Sequence, residues 1–140
     1  MRYDRIIAEP PPIVRMDVLR RCLEDAALMV KNLDRKRRHF SFAVRKGRII
    51  CVGQNIPRTH TMPSKYGYRG DWPHSELDLI IRMGRTVGCT MMNGCTLVNV
   101  SLNSRMGLRN SRPCPVCQTW IYEVFDHSIY TTPNGWETLF

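Results

Sequence analysis

The chain has 140 residues, of which 43% are hydrophobic, and its formal net charge is +9. This length fits one domain with a single core, and the hydrophobic fraction excludes a disordered chain. No apolar run approaches the roughly 18 residues of a membrane-spanning helix, and no apolar stretch of signal-peptide length precedes the prolines at 10–12. We therefore expect a soluble, cytoplasmic protein without a membrane partner, whose six cysteines stay reduced.

The first half of the chain predicts an extended arm, a helix and a β-hairpin. Residues 1–13 end in three prolines, which exclude a helix there. Apolar residues recur at helical spacing over about 16–32, which predicts the first helix. Residues 40–44 alternate as a strand, Lys46 and Gly47 turn the chain, and 48–53 predicts a second strand. A long polar loop then covers 54–73.

The second half of the chain predicts two more helices and three more strands. Helices are expected over about 74–87 and 113–125, with a strand at 96–102 and a loop at 103–112 between them. Strands at 127–132 and 136–139 flank Pro133-Asn134-Gly135, which is too short for a helical crossover, so these strands should be antiparallel. This order predicts a single α/β domain over 1–140, a three-layer α/β/α sandwich around a mixed five-stranded sheet.

Two short motifs carry chemically reactive residues at predicted helix starts. They are His74-Ser75-Glu76 and Pro113-Cys114-Pro115-Val116-Cys117. Cys114 and Cys117 can face one metal from a first helical turn, where the helix N-terminus favours their thiolate form. Zinc in an enzyme takes three protein ligands and a water, whose pKa it lowers to about 7. We expect His74 to be the third ligand, with Glu76 free to carry protons.

Together the two motifs resemble the signature of the zinc-dependent cytidine deaminase superfamily, and the predicted element order from Met16 onward resembles its fold. The resemblance implies a bound Zn²⁺, the ligands His74, Cys114 and Cys117, and Glu76 as the catalytic residue. Asn55 resembles the asparagine that many members use to hold the sugar or base. Ser75 stands where alanine is commonest, at a position whose backbone usually meets the substrate.

The C-terminal hairpin resembles the free cytidine and blasticidin deaminases. The tRNA adenosine, deoxycytidylate and polynucleotide cytidine deaminases have a parallel last strand instead. The 54–73 loop lacks the Asn-x-Glu segment by which free cytidine deaminases grip ribose. The chain is thus similar to a divergent member of the superfamily, and its substrate does not follow from the resemblance.

Basic residues concentrate in three loops that would border the zinc pocket in this fold. They are Arg35, Lys36, Arg37 and Arg38; Arg58, Lys65 and Arg69; and Arg105, Arg109 and Arg112. Such charge favours a phosphate-bearing ligand. We expect Arg105, Arg109 and Arg112 to bind substrate, and Trp72 to stack on a base.

The leading hypothesis is therefore a zinc-dependent hydrolase that deaminates cytosine to uracil in a free nucleoside or nucleotide. A deaminase that acts on bases in single-stranded DNA or RNA is the first alternative, because the loops are basic and contain aromatic residues. A non-catalytic, zinc-stabilised protein that binds nucleic acid is the second alternative. We also expect a homo-oligomer.

Overall fold

The computed structural model describes residues 14–30, 38–55, 74–86 and 94–140. Predictions that fall elsewhere lie outside the described residues, among them the extended N-terminal arm, most of the 54–73 loop and its Trp72. The described helices are α1 (Met16–Val30), α2 (Ser75–Thr86) and α3 (Pro115–Val124). In these stretches no helix has the length and apolar character needed to cross a membrane.

Six strands in the described residues form one mixed sheet. The strands are β1 (His39–Arg45), β2 (Arg48–Gln54), β3 (Thr96–Leu102), β4 (Leu108–Arg109), β5 (His127–Thr132) and β6 (Gly135–Thr138). Their order is β2-β1-β3-β5-β6, with β4 paired to β3 off this path. Only the β3–β5 pair of those described is parallel. The predicted α/β fold with a mixed sheet is confirmed.

Strand β4 adds a short pair to the five predicted strands. It lies inside the predicted loop 103–112, where Leu108 pairs with Leu102 and Arg109 with Ser101. The turn before it places Met106 at a φ of 65°. A strand of two residues has no alternation to detect, so the sequence pattern could not predict it.

Helices cover both faces of the sheet, because successive side chains of a strand point to opposite sides. Phe40 and Phe42 of β1 pack in a cluster with the buried side of α1. Ala43, on the other face, packs with residues of α2 and α3, including Leu77 and Ile121. Strand β3 is buried along its whole length. That residues 1–140 form one domain stays a prediction.

Both predicted hairpins are present. Lys46 and Gly47 connect β1 and β2 with φ angles of 50° and 75°, as a type I′ turn requires at both central residues. Strands β5 and β6 are antiparallel, with Thr132 opposite Gly135. The prediction of a C-terminal antiparallel hairpin is therefore confirmed.

Asp78 ties the first turns of α2 to the end of β2. One of its carboxylate oxygens, Oδ2, accepts hydrogen bonds from the backbone N–H of Gln54 at 3.0 Å and from Nε of Arg82 at 2.8 Å. The carboxylate is buried, so both bonds offset the cost of removing it from water. Residues 54–55 and the start of α2 are thereby held next to each other.

Candidate metal centre and active site

The three predicted metal ligands converge at the starts of two helices. His74 immediately precedes α2, and Cys114 is the N-cap residue of α3. Nδ1 of His74 lies 3.5 Å from Sγ of Cys114 and 3.7 Å from Sγ of Cys117. The ligand atoms of the three residues all lie within 4.8 Å of one another.

The donor set and its spacing fit zinc. Zinc bonds of about 2.3 Å to sulfur and about 2.0–2.1 Å to nitrogen, at tetrahedral angles, place N and S ligands about 3.6 Å apart. The two N–S distances of 3.5 and 3.7 Å agree with that value. The backbone N–H of Cys117 donates to Sγ of Cys114 at 3.4 Å, which holds this sulfur at the start of α3.

Glu76 lies next to these ligands in the first turn of α2, and only 3% of it is exposed. It shares one cavity of about 280 Å³ with two of the three ligands. The described residues that line this cavity are His39, Asn55, His74, Ser75, Glu76, Arg112 and Cys114. This volume lies just below the usual range of about 300–1,000 Å³ for ligand pockets and suits one small ligand.

Solved structures similar to this chain include two deaminases. The dCMP deaminase from the cyanophage S-TIM5, in apo form, gives a TM-score of 0.57 at 16% identity and covers 84% of both chains. The cytidine deaminase from Mycobacterium leprae gives a TM-score of 0.50 at 19% identity, covering 83% of this chain and 88% of that chain. No family model and no curated protein matches the sequence.

The chain has the cytidine deaminase fold. The expectation drawn from the two motifs is confirmed at the level of the fold. The same fold brings together the His/Cys/Cys cluster and Glu76, although α2, β3 and β4 lie between their motifs in the described residues.

Within the deaminase fold, His39 is a cavity residue that sequence reasoning missed. Its Nε2 is buried without a hydrogen-bond partner among the described residues. Burial lowers the pKa of His39; the negative charge of Glu76 opposes this effect, and the charges of Arg109 and His74 add to it. The alternation of side chains along β1 places His39 on the same face as Ser41. The sequence alone does not show that this face contacts the cavity.

Asn55 lies where the sequence places it, at the cavity directly after β2. Its Oδ1 is buried and, among the described residues, has no hydrogen-bond partner. A buried polar atom without a partner costs about 1–3 kcal/mol. Oδ1 of Asn55 and Nε2 of His39 are therefore two atoms that a polar ligand in the cavity could satisfy.

Ser75 also lines the cavity, but its hydroxyl is committed to the protein. Only 1% of the residue is exposed. Its Oγ donates to Oε1 of Glu76 at 2.7 Å and lies 2.8 Å from Oγ of Ser41. The side chain of Ser75 thus contacts the neighbouring carboxylate.

The three arginines expected to bind substrate differ in their places. Arg112 lines the cavity, and its Nη1 donates to the hydroxyl of Tyr130 at 3.3 Å. The Nε of Arg109 donates to Oγ of Ser101 at 3.0 Å, and its charge acts on His39. Arg105 is exposed and is not among the described residues that line the cavity.

One of the basic residues that the sequence places in loops around the zinc pocket is buried. Arg38 is only 8% exposed, and its Nη1 donates to the backbone oxygen of Asn103 at 3.1 Å. It therefore holds the 103–107 turn against the sheet instead of facing solvent. The other basic residues of the 33–38 and 54–73 segments, and Trp72, fall outside the described residues.

Proposed function

We propose that this protein is a zinc-dependent hydrolase that converts cytosine to uracil in a free nucleotide. The observation that carries the proposal is the placement of Glu76, a buried carboxylate that shares one small cavity with His74 and Cys114 of the His/Cys/Cys cluster. A purely structural zinc site would not need a carboxylate there. The deaminase fold of the chain is consistent with this chemistry.

His74, Cys114 and Cys117 would hold the zinc ion, which when bound supplies the Lewis acidity that makes water nucleophilic near neutral pH. Water adds to C4 of the ring, the bond from C4 to the exocyclic nitrogen breaks, and ammonia leaves. Glu76 accepts the proton that water loses, gives it to ring nitrogen N3, and carries a second proton to the departing amine. Proton transfer of this kind contributes about 10²–10⁴ in rate.

Asn55 and His39 supply the polar contacts that hold the nucleoside. Both present buried atoms without partners among the described residues, and both line the cavity that contains Glu76. The lowered pKa of His39 keeps its imidazole neutral at pH 7, so Nε2 donates or accepts according to the tautomer. Hydrogen bonds to the sugar or base would satisfy these atoms.

Arg112 is the residue that favours a phosphorylated substrate. Its guanidinium borders the cavity, and Tyr130 holds it from the side. Charge-assisted hydrogen bonds between a guanidinium and a phosphate are stronger than neutral ones. The antiparallel C-terminal hairpin resembles deaminases of free nucleosides and supports a free substrate in preference to a polynucleotide, whereas the phosphate is inferred from Arg112 alone.

Ammonia release from cytidine, deoxycytidine and their monophosphates, with one zinc per chain, tests the proposal. We expect turnover, with higher kcat/KM for a monophosphate than for its nucleoside. Absence of turnover on all four compounds would overturn the proposed activity. Equal kcat/KM for a monophosphate and its nucleoside would be compatible with deamination but would contradict a phosphate-binding role for Arg112.

Action on single-stranded nucleic acid is the second candidate, favoured by the exposed Arg105 and Arg109 outside the cavity lining. It predicts oligonucleotide binding that weakens steeply with salt and deamination of oligonucleotides in preference to monophosphates. For the non-catalytic binder, Glu76→Ala would leave all binding unchanged and no variant would affect ammonia release. A cytoplasmic location and a homo-oligomeric state stay predictions.

A further inference from the structure

A row of buried polar side chains runs under α2 on the sheet face that contains the site. Ser41 of β1 and Asn99 of β3 are register partners, and both are 0% exposed. Further along the same face, the next register pair is the apolar Ala43 and Leu97. Buried polar side chains are normally hydrogen-bonded. The hydrogen-bond partners of Ser41 and Asn99 therefore show which neighbouring groups these two side chains position.

The row ends on the carboxylate of Glu76. Oγ of Ser75 donates to Oε1 of Glu76 at 2.7 Å, and Oγ of Ser41 lies 2.8 Å from Oγ of Ser75. Oγ of Ser41 donates in turn to Oδ1 of Asn99 at 2.7 Å. Glu76 and Asn99 both accept at the ends of this row, and Ser75 and Ser41 have one hydroxyl hydrogen each, so two of the three contacts are hydrogen bonds at a time. Removal of either hydroxyl therefore changes the hydrogen bonding of the other.

Asn99 also connects the row to the segment that leads into α3. Its Nδ2 donates to the backbone oxygen of Ser111 at 3.1 Å, while Oγ of Ser111 donates to the backbone oxygen of Asn99 at 2.9 Å. The bond from Nδ2 fixes which way the amide faces, so Oδ1 points to Ser41. Ser111 is three residues before Cys114, so the side chain of Asn99 connects Ser41 to the segment that leads to Cys114.

We propose that Ser75, Ser41 and Asn99 are positioning residues for Glu76, an inference that rests on the deaminase activity proposed above. The contact from Ser75 holds Oε1 and leaves Oε2 for proton transfer in the cavity. Ser41 and Asn99 hold Ser75 and set the distance from Glu76 to the segment that carries Cys114.

Ser75→Ala is the direct test, with Ser128→Ala as its matched control. Ser128 is a fully buried serine on β5 whose Oγ has no partner among the described residues. A misplacement of about 1 Å can cost about 10²-fold, so we expect Ser75→Ala to lower kcat by about 10-fold or more with KM and zinc content unchanged. Ser128→Ala should keep kcat, and Ser75→Thr, which retains the hydroxyl, should restore much of the loss.

Ser41→Ala extends the test to a residue that contacts Glu76 only through Ser75. It should lower kcat by less than Ser75→Ala, and the double variant should be no slower than Ser75→Ala alone, because residues in one network are not additive. The shifts in Tm should likewise be less than additive, a readout that needs no activity. If Ser75→Thr does not fold, the additivity of the Ser41→Ala and Ser75→Ala effects on kcat and on Tm decides whether Ser75 has the positioning role.

Two results would overturn the positioning role. One is a wild-type kcat in Ser75→Ala, and the other is additivity of the Ser41→Ala and Ser75→Ala effects in both kcat and Tm. If the wild-type protein releases no ammonia from any nucleotide, the proposed function fails, and the coupling of the two Tm shifts still tests the contacts. The two failures are therefore distinguishable.

Discussion

Gly53 of β2 lies so close to α2 that a β-carbon at this position would overlap the backbone nitrogen of Leu79. It would also overlap the backbone oxygen of Ser75. Both obstacles are backbone atoms, which cannot rotate away as a side chain can. The start of α2, with His74 and Glu76, can approach the sheet this closely only because residue 53 has no side chain.

Gly53→Ala should therefore destabilise the protein and disturb the site. Overpacking typically costs about 1–3 kcal/mol, and the rigid neighbours place this variant at the upper end. Urea unfolding should show the loss, with lower zinc content because His74 moves with α2. Gly84→Ala is the matched control, since a β-carbon at Gly84 in α2 would meet nothing within 4 Å. It should be neutral or stabilising, by up to about 1 kcal/mol; equal losses in both variants would contradict the argument.

The parts of the fold that the sequence predicts are those with a repeating pattern. Apolar residues at helical spacing locate α1, and the Lys46-Gly47 turn locates the first hairpin. Strand β4 has no such pattern because it is two residues long. Arg38 resembles any other arginine of its basic run, and only the position of the Asn103 carbonyl shows that it is buried.

The residues of the site likewise fall into those that the sequence predicts and those that it does not. His74 and Cys114 stand in short motifs whose residue types already indicate the chemistry. His39 and Asn99 do not, because a histidine or an asparagine in a strand acquires a role only from strands and helices far away in sequence. Asn99, for example, contacts Ser41 across 58 positions of sequence. Long-range contacts of this kind are set by packing and leave no local pattern.

Cys114 and Cys117 should both be needed for zinc binding. A Cys114→Ser, Cys117→Ser double variant should retain no stoichiometric zinc, and addition of a chelator should lower the Tm of the wild type but not of this variant. Cys51→Ser is the matched control, because Cys51 is a half-buried thiol of β2 outside the cavity lining. One zinc per chain in the double variant would refute the ligand assignment.

Glu76→Gln should abolish turnover while keeping the metal. The amide preserves the shape of the side chain but cannot take a proton from water, so kcat should fall by about 10²-fold or more. Zinc content, measured by mass spectrometry of the metal, should stay at one per chain. Glu123→Gln, on the exposed side of α3, should keep wild-type kcat. A variant at position 76 that retained most of the activity would require another proton carrier.

Arg112→Gln should separate phosphorylated from unphosphorylated substrates. Loss of a hydrogen bond to a charged group costs about 1.5–3 kcal/mol, so KM for the monophosphate should rise by about 10-fold or more. KM for the nucleoside should change little. Arg48→Gln provides the control, because Arg48 is exposed at the start of β2 and does not line the cavity. Equal effects on both substrates would show that Arg112 acts on the fold or on the base.

His39 should make stability depend on pH below neutrality. Burial lowers its pKa in the folded protein, with Glu76 opposing and Arg109 and His74 assisting the shift, whereas the unfolded chain has a histidine pKa of about 6.5. Below about pH 6.5 the unfolded state therefore binds more protons than the folded state. The free energy of unfolding falls as the pH drops from about 6.5 to the lowered pKa of His39 in the folded protein.

The measurement is the Tm at about pH 7.5 and about pH 5.5 for the wild type and for His39→Gln, at equal zinc content. Acid also weakens zinc binding in both proteins, so the difference between their Tm shifts isolates His39. The variant should lose less Tm on acidification than the wild type, because glutamine does not titrate. At neutral pH it should also raise KM for the nucleoside, since Nε2 lies at the cavity without a partner among the described residues. An identical pH dependence in both proteins would show that His39 is not buried in its neutral form.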